Sequence, residues 1–328
     1  MSSLPSAQNS TNGRSLAPWP LRAGLAALGA VSPDLAGRAG ARIFLTPPRH
    51  RASRRDEEAL AATEPFALAH RGRIVRGWTL GAGPAVLLVH GWGGRSGQLA
   101  PLAHAFAAAG CTAVAFDAPA HGRSSGRVAS MLDFADAAAA VAARFGARAA
   151  AGHSVGGCAI AFATTRGLEL SAAVLLAPPT TPISFVDGLA DALTLSPRVR
   201  TALDEGIVWR VGLAYDAVDV VRLAPAAPPP FLVVHDRDDS EVPLAAGAAL
   251  AKAWRARLVV TAGLGHRRIL RDRAVLDETV AFITSRLPRC GCGSLAEAPD
   301  PDGTWRCAGC AVADDLWARD RRRERFGT

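Results

Sequence analysis

Gly152-His153-Ser154-Val155-Gly156 is the stretch that decides the fold of this chain. Gly-x-Ser-x-Gly spacing is typical of a nucleophile elbow, a sharp turn between a strand and a helix that exposes the serine hydroxyl above the sheet. The glycines suit this turn because bulkier side chains would clash where it is tight. The pattern predicts that Ser154 is the attacking group in acyl-transfer chemistry. The structural alternative is a serine at a glycine-rich helix start.

Apolar runs and helical stretches alternate on both sides of this pentapeptide. Continuous apolar runs are typical of strands covered on both faces. Strands alternating with helices predict an α/β fold with a mostly parallel sheet and helices on both faces. The strand before Ser154 contains no β-branched residue, so the motif alone predicts it. Strands are predicted at 66–70, 74–79, 86–89, 113–116, 147–151, 172–176, 231–234 and 258–261, with helices near 98–109, 131–144 and 155–165.

A glycine-rich turn, residues 90–94, directly follows the strand at 86–89. Such a turn exposes backbone N–H groups toward the active centre. Together with the N–H of the residue after the nucleophile, one of them stabilises the charge that develops on the attacked carbonyl oxygen. The sequence predicts that Trp92 and Val155 provide these two donors.

An acid and a base follow the last two predicted strands. The segment after 231–234 contains Asp236, Asp238 and Asp239, and the segment after 258–261 ends at His266. A histidine at that edge is placed to take the serine proton as general base, and an aspartate holds the imidazole in the required tautomer. Serine, aspartate and histidine occur in the chain order of an α/β-hydrolase.

These segments together resemble the α/β-hydrolase superfamily, of the serine esterase and lipase type, over roughly residues 66–287. Residues 117–126 are similar to the family's Asp-x-Pro-Gly-His-Gly-x-Ser loop, with Ala120 in place of a glycine. The family's Asp-x-x-Val-Pro ending implies that Asp239 is the acid, with Asp238 as the fallback. Asp236 stands where the family usually has glycine.

Four of the six cysteines form a second cluster near the end of the chain. Their Cys-x-Cys and Cys-x₂-Cys pairs resemble a zinc ribbon or a rubredoxin-like knuckle pair, with the first pair one residue shorter than usual. Four thiolates suit tetrahedral Zn²⁺ and leave no open position, so the resemblance implies a structural metal. A disulfide or idle thiols are the alternative. The four ligands would be Cys290, Cys292, Cys307 and Cys310.

Four segments are predicted from these patterns. Residues 1–64 form an N-terminal lead, partly disordered or helical, with a helix near 21–28. Residues 65–288 form the α/β-hydrolase domain, with a helical cap inserted at about 180–229, where the family often carries one. A zinc-ribbon-like module at 289–312 and a charged tail at 313–328 complete the chain.

The composition and charge of the chain argue against two kinds of partner, nucleic acid and a spanned membrane. The formal net charge is +8, arginine supplies all positive residues except Lys252, and no aromatic-interleaved basic stripe or helix-turn-helix pattern occurs. Nucleic-acid binding is therefore not expected. No apolar run reaches membrane-spanning length and no secretory signal begins the sequence, which favours the cytoplasm.

The sequence therefore predicts a serine hydrolase that cleaves a carboxylic ester or related small acyl compound and needs no cofactor for catalysis. Two alternatives stay open. An acyltransferase would use the same residues with an acceptor other than water. A non-catalytic binding protein would keep the hydrolase fold and dock a protein partner through the zinc module.

Overall fold

The computed structural model describes residues 16–49, 54–296, 298–299 and 304–311 of the 328-residue chain. The α-helices in this part are α1 (Trp19–Val31), α2 (Pro33–Phe44), α3 (Arg54–Ala59), α4 (Ala100–Ala108), α5 (Met131–Phe145), α6 (Val155–Thr164), α7 (Ile183–Leu193), α8 (Pro197–Val211), α9 (Leu244–Ala253), α10 (Gly265–Arg268) and α11 (Arg273–Thr284). The strands are β1 (Glu64–His70), β2 (Arg73–Leu80), β3 (Ala85–Val89), β4 (Thr112–Asp117), β5 (Ala149–His153), β6 (Ala172–Leu176), β7 (Phe231–Asp236), β8 (Arg257–Thr261), β9 (Ala298–Pro299) and β10 (Trp305–Arg306).

The first eight strands form one sheet in the order β1-β2-β4-β3-β5-β6-β7-β8. Strands β3 to β8 pair in parallel, whereas β1 and β2 are antiparallel to their neighbours. The predicted α/β class with a mostly parallel sheet is confirmed. The turn between β1 and β2 is Arg71-Gly72, and both residues have positive φ (47° and 70°), as a two-residue hairpin of this kind requires.

Strand β5 lies in the middle of the sheet although its sequence, Ala-Ala-Ala-Gly-His, is a poor strand former. It begins two residues later than the predicted 147–151. Parallel pairing of Ala149 with Val86 on one side and with Ala172 on the other sets its start. All five of its residues are buried. Tertiary pairing therefore overrides the low propensity of these residues.

The chain separates into two compact units. In one, the described residues up to Leu45 join Pro182–Tyr215, so that α1, α2, α7 and α8 form a helical unit. Helices α2 and α8 approach so closely that a Cβ on Gly37 would lie 2.4 Å from the carbonyl carbon of Ala202. The buried core of this unit contains Ala41, Val186, Ala190, Leu203 and Ile207.

The other unit contains the eight-stranded sheet, the remaining helices and the β9–β10 hairpin. Helices α7 and α8 fall within the predicted 180–229 insertion, and α1 includes the predicted helix at 21–28. The division at residues 64, 288 and 312 stays a prediction. The predicted tail at 313–328 lies outside the described residues, as do 1–15. In the described part of the chain, no helix is long and apolar enough to cross a membrane.

Candidate active site and cysteine cluster

Ser154 occupies the turn between β5 and α6. Its φ of 53° and ψ of −125° lie in a region that side-chain-bearing residues rarely adopt, and such strain is typical of functional positions. Its N–H donates to the carbonyl of Leu176 at 2.8 Å, which anchors the turn to β6. The structure therefore places Ser154 at a strained strand-to-helix turn, as the motif predicts.

The two glycines of the motif permit this turn. A Cβ on Gly156 would lie 2.4 Å from the carbonyl oxygen of Val89 and 2.5 Å from that of His90. A Cβ on Gly152 would lie 2.6 Å from the Ile160 side chain. Real Cβ atoms do not approach other atoms this closely. Helix α6 therefore packs against the ends of β3 and β5 only because these side chains are absent.

Asp239 and His266 form a buried pair at the carboxyl ends of β7 and β8. The Nδ1 atom of His266 lies 2.7 Å from Oδ2 of Asp239, and both side chains are almost fully buried. The other carboxylate oxygen accepts the N–H groups of Glu241 and Val242, each at 2.8 Å. With Nδ1 donating to the carboxylate, the imidazole presents Nε2 as its free acceptor.

The charge on Asp239 is favoured despite its burial. Burial raises the pKa of a carboxyl group, but hydrogen bonds from His266, Val242 and Glu241 together lower the pKa of Asp239 below its usual value. Asp239 is therefore ionised at neutral pH and is suited to stabilise an imidazolium on His266. Of the three aspartates in this segment, it is the one that contacts His266. The fallback, Asp238, accepts the N–H of Gly263 at 2.7 Å instead.

His153, which sequence analysis did not assign to the site, links Ser154's neighbourhood to His266. Its Nε2 lies 2.8 Å from the carbonyl oxygen of His266, and the two imidazole rings are 4.6 Å apart. Burial, together with the neighbouring His266, lowers the pKa of His153 to about 3, so its ring is neutral and donates this hydrogen bond. Its place beside Ser154 is the one signal in the sequence that indicates such a contact.

The turn after β3 comes close to Ser154. A Cβ on Gly91 would lie 3.0 Å from the Cβ of Ser154. The next residue is Trp92, and Val155 is the first residue of α6, where backbone N–H groups have no partner inside the helix. Within the described residues, the N–H groups of Trp92 and Val155 form no hydrogen bond to other protein groups.

Aromatic side chains pack around this turn. The Nε2 atom of His90 accepts the N–H of Ala118 at 3.0 Å, and its ring contacts those of His121 and Phe134. The Trp92 ring stacks on Phe134. Burial lowers the pKa of His90 and lowers that of His121 to about 3. These two histidines are neutral parts of the packing around the turn.

The loop after β4 is organised by the carboxylate of Asp117. It accepts the N–H and the hydroxyl of Ser96 at 2.7 and 2.8 Å and the N–H of Arg123 at 2.8 Å. Ala120, which replaces the family's glycine, has a φ of 65°. The backbone therefore adopts the glycine-like conformation here even with an alanine side chain.

The four clustered cysteines come together in space. The sulfur atoms of Cys290, Cys292, Cys307 and Cys310 all lie within 4.8 Å of one another. Tetrahedral Zn²⁺ with Zn–S bonds of about 2.3 Å requires sulfur atoms about 3.8 Å apart, and Cys292 and Cys307 are separated by 3.6 Å. The short Cys-x-Cys pair turns back at Gly293, with a φ of 88°. The thiol set therefore fits a small tetrahedral metal ion.

Comparison with known proteins shows the family and the fold of the chain. The model of the Alpha/beta hydrolase family matches residues 86–278, more than half of the chain, and the chain belongs to this family. No curated protein matches it. Three solved structures of similar fold are the esterase Pf2001 of Pyrococcus furiosus, the esterase Est1E of Butyrivibrio proteoclasticus and a putative lipase of Acinetobacter baumannii.

These likenesses concern the fold. The Pyrococcus esterase is 16% identical, with a TM-score of 0.57 over 74% of this chain and 99% of its own. The Butyrivibrio enzyme, solved with ferulic acid, is 18% identical, with a TM-score of 0.53 over 67% and 98%. The Acinetobacter protein is 17% identical, with a TM-score of 0.54 over 72% and 97%.

Proposed function

We propose that this protein is a serine hydrolase that cleaves a carboxylic ester or related acyl compound through an acyl-enzyme. The observation that carries the proposal is the buried 2.7 Å contact between Asp239 and His266 beside the strained turn at Ser154. A nucleophile, a base and an acid that orients the base are together the groups that acyl transfer requires. The esterases of similar fold support an ester substrate.

The proposed reaction has two halves. His266 takes the hydroxyl proton of Ser154 as the serine oxygen attacks the substrate carbonyl, and the N–H groups of Trp92 and Val155 stabilise the resulting oxyanion. The intermediate collapses to an acyl-enzyme, and the proton on His266 passes to the departing alcohol. Water then attacks the acyl group, His266 takes its proton, and collapse releases the carboxylic acid and returns the proton to Ser154.

Asp239 and the two backbone donors act without forming covalent bonds to the substrate. Asp239 stabilises the imidazolium that forms on His266 in both halves of the reaction. Removal of one oxyanion donor in such sites typically lowers turnover by about 10²–10³-fold.

An acyl acceptor other than water would make the same site an acyltransferase. A binding protein that retained the fold without catalysis would have no need of the buried acid–base pair.

A panel of p-nitrophenyl esters of graded chain length tests this proposal. We expect the wild-type protein to hydrolyse at least one ester and Ser154→Ala to lose that turnover. Ser285→Ala, at an exposed site after α11, is the matched control and should retain it. Full ester turnover by Ser154→Ala would contradict the proposal. Product analysis with added alcohols separates hydrolysis from acyl transfer.

We further propose that the cysteine cluster holds a structural Zn²⁺. Cys290, Cys292, Cys307 and Cys310 would be its four ligands, and a closed set of four thiolates gives the metal a role in folding. Such reduced thiolates are consistent with a reducing cytoplasm as the location. A docking role of this module for a protein partner stays a prediction.

Metal analysis of protein purified without chelator tests the zinc proposal. We expect about one zinc per chain in the wild-type protein and in Cys111→Ala, whose altered cysteine is buried beside β4. Cys310→Ser should bind much less. Far less than one equivalent in the wild-type protein would contradict the proposal.

A further inference from the structure

The carboxylate of Asp236 is fully buried at the end of β7 and does not contact His266. It accepts three hydrogen bonds instead. One oxygen accepts the hydroxyl of Thr261 at 2.7 Å and the N–H of Leu264 at 3.0 Å, and the other accepts the N–H of Asp238 at 3.0 Å. Thr261 ends β8, Leu264 lies on the loop that leads to His266, and Asp238 lies on the loop that carries Asp239.

The positions of these donors in the chain show that the carboxylate of Asp236 joins the loop of Asp239 to the loop of His266. Leu264 lies two residues before His266, whereas Asp238 directly precedes Asp239. A second link, from Gly263 N–H to the carboxylate of Asp238, runs in parallel, but both residues are exposed to solvent, where such a bond contributes less. A third, the ion pair of Arg267 with Glu241, is exposed to solvent and is expected to contribute little. The buried link through Asp236 is therefore the one that can fix the spacing between the two loops.

We propose that Asp236 is a positioning residue whose carboxylate holds the loop of His266 in register with the loop of Asp239. This inference rests on the proposed function. Glycine, which the family usually has at this position, has no carboxylate to accept these loop amides. Charge-assisted bonds to backbone N–H groups are strong, and a misplacement of about 1 Å in a catalytic group costs about 10²-fold in rate.

The decisive variant is Asp236→Asn. An amide keeps the shape of the carboxylate but presents an NH₂ group where an acceptor oxygen is needed, so at least one loop N–H faces another donor. We expect kcat to fall about 10- to 100-fold with KM changed less than about two-fold, because substrate binding is not altered. Arg267→Gln, which removes the exposed link between the same loops, is the matched control and should retain wild-type kcat.

Labelling with a fluorophosphonate separates positioning from loss of fold. In Asp236→Asn we expect full labelling amplitude at a 10- to 100-fold lower rate, whereas an unfolded fraction would lower the amplitude. Where this variant does not fold, Thr261→Val removes one donor and should slow labelling in the same direction. Thr261→Ser keeps the hydroxyl and should restore the rate. Wild-type labelling rates in both Asp236→Asn and Thr261→Val would overturn the inference.

Amide hydrogen exchange gives a readout that does not depend on activity. We expect the N–H groups of Leu264 and Asp238, the two backbone donors to this carboxylate, to exchange at least about ten times faster in Asp236→Asn than in the wild type or in Arg267→Gln. Unchanged exchange at both positions would overturn the inference even if the wild-type enzyme hydrolysed no ester. Absence of any labelling in the wild type, with the exchange difference present, would contradict the proposed function alone.

Discussion

At the scale of single residues, the roles of the three aspartates after β7 depend on which atom each carboxylate contacts. Asp239 contacts the imidazole of His266, Asp238 contacts Gly263, and Asp236 contacts Thr261 and Leu264. The family's spacing indicated Asp239 as the acid, and Asp239 is the aspartate of this segment whose carboxylate lies 2.7 Å from His266. The partners of Asp236 were not predictable, because they depend on the conformation of a loop twenty-eight residues further along the chain.

Replacement of the orienting acid is the sharpest test at this scale. In Asp239→Asn the amide either donates to Nδ1 of His266 or turns its oxygen away from the N–H groups of Glu241 and Val242. We expect kcat to fall by about 10⁴-fold, because an imidazole held in the wrong tautomer cannot take the serine proton. Steady-state ester hydrolysis measures this loss.

Asp238→Asn is the matched control for that measurement. Its amide oxygen still accepts the N–H of Gly263, and Asp238 does not contact His266. A much smaller loss is therefore expected. Equal losses in the two variants would remove the argument that Asp239 is the orienting acid.

At the scale of elements, the elbow depends on α6 packing directly onto strand ends. Gly156→Ala brings a methyl group against the carbonyl oxygens of Val89 and His90, which are backbone atoms with little freedom to move. We expect a loss of about 3 kcal/mol in the free energy of unfolding, together with loss of ester turnover, because helix and serine shift together. Urea denaturation measures the first and hydrolysis the second.

Gly24→Ala in α1 is the control for the glycine substitution. No atom lies within 4 Å of the added Cβ, so the helix gains up to about 1 kcal/mol from the better helix former. An unchanged free energy of unfolding in Gly156→Ala would show that α6 does not pack directly onto the strand ends, and it would contradict this prediction.

The pairing of α1 and α2 with α7 and α8 is one part of the fold that the sequence did not predict. The contact between α2 and α8 is made by Gly37 and Ala202, residues whose small size carries no periodic signal. The eight strands of the large sheet, by contrast, were predicted to within two residues at each end, because apolar runs mark them or, for β5, because the motif does. Long-range pairing of helices by small residues leaves no such mark in a single sequence.

At the scale of the whole molecule, buried neutral histidines make stability depend on pH. Burial lowers the pKa of His90 and His235 and lowers that of His121 and His153 to about 3. Below a pH of about 6.5 the unfolded chain binds protons at these residues, while His121 and His153 stay unprotonated in the folded chain until near 3. The stability that the neutral rings of His121 and His153 contribute is therefore complete above about pH 6.5, and it is lost as the pH falls toward about 3.

His121→Phe tests this dependence while keeping a ring in the aromatic cluster. The buried Nε2 of His121 has no hydrogen-bond partner within the described residues. We expect the slope of the free energy of unfolding against pH, between pH 4 and 6, to fall by about 1.4 kcal/mol per pH unit. Phe134→Leu alters the same cluster without removing a titratable group and should keep the wild-type slope. An unchanged slope in His121→Phe would contradict the account.

The central claim is that Ser154 is an activated nucleophile, and fluorophosphonate labelling with peptide mapping tests it most directly. The account predicts one adduct per folded chain, on Ser154, with no adduct in Ser154→Ala and slow labelling in Asp239→Asn. A folded wild-type protein that forms no adduct, or that carries it on another serine, would contradict the claim.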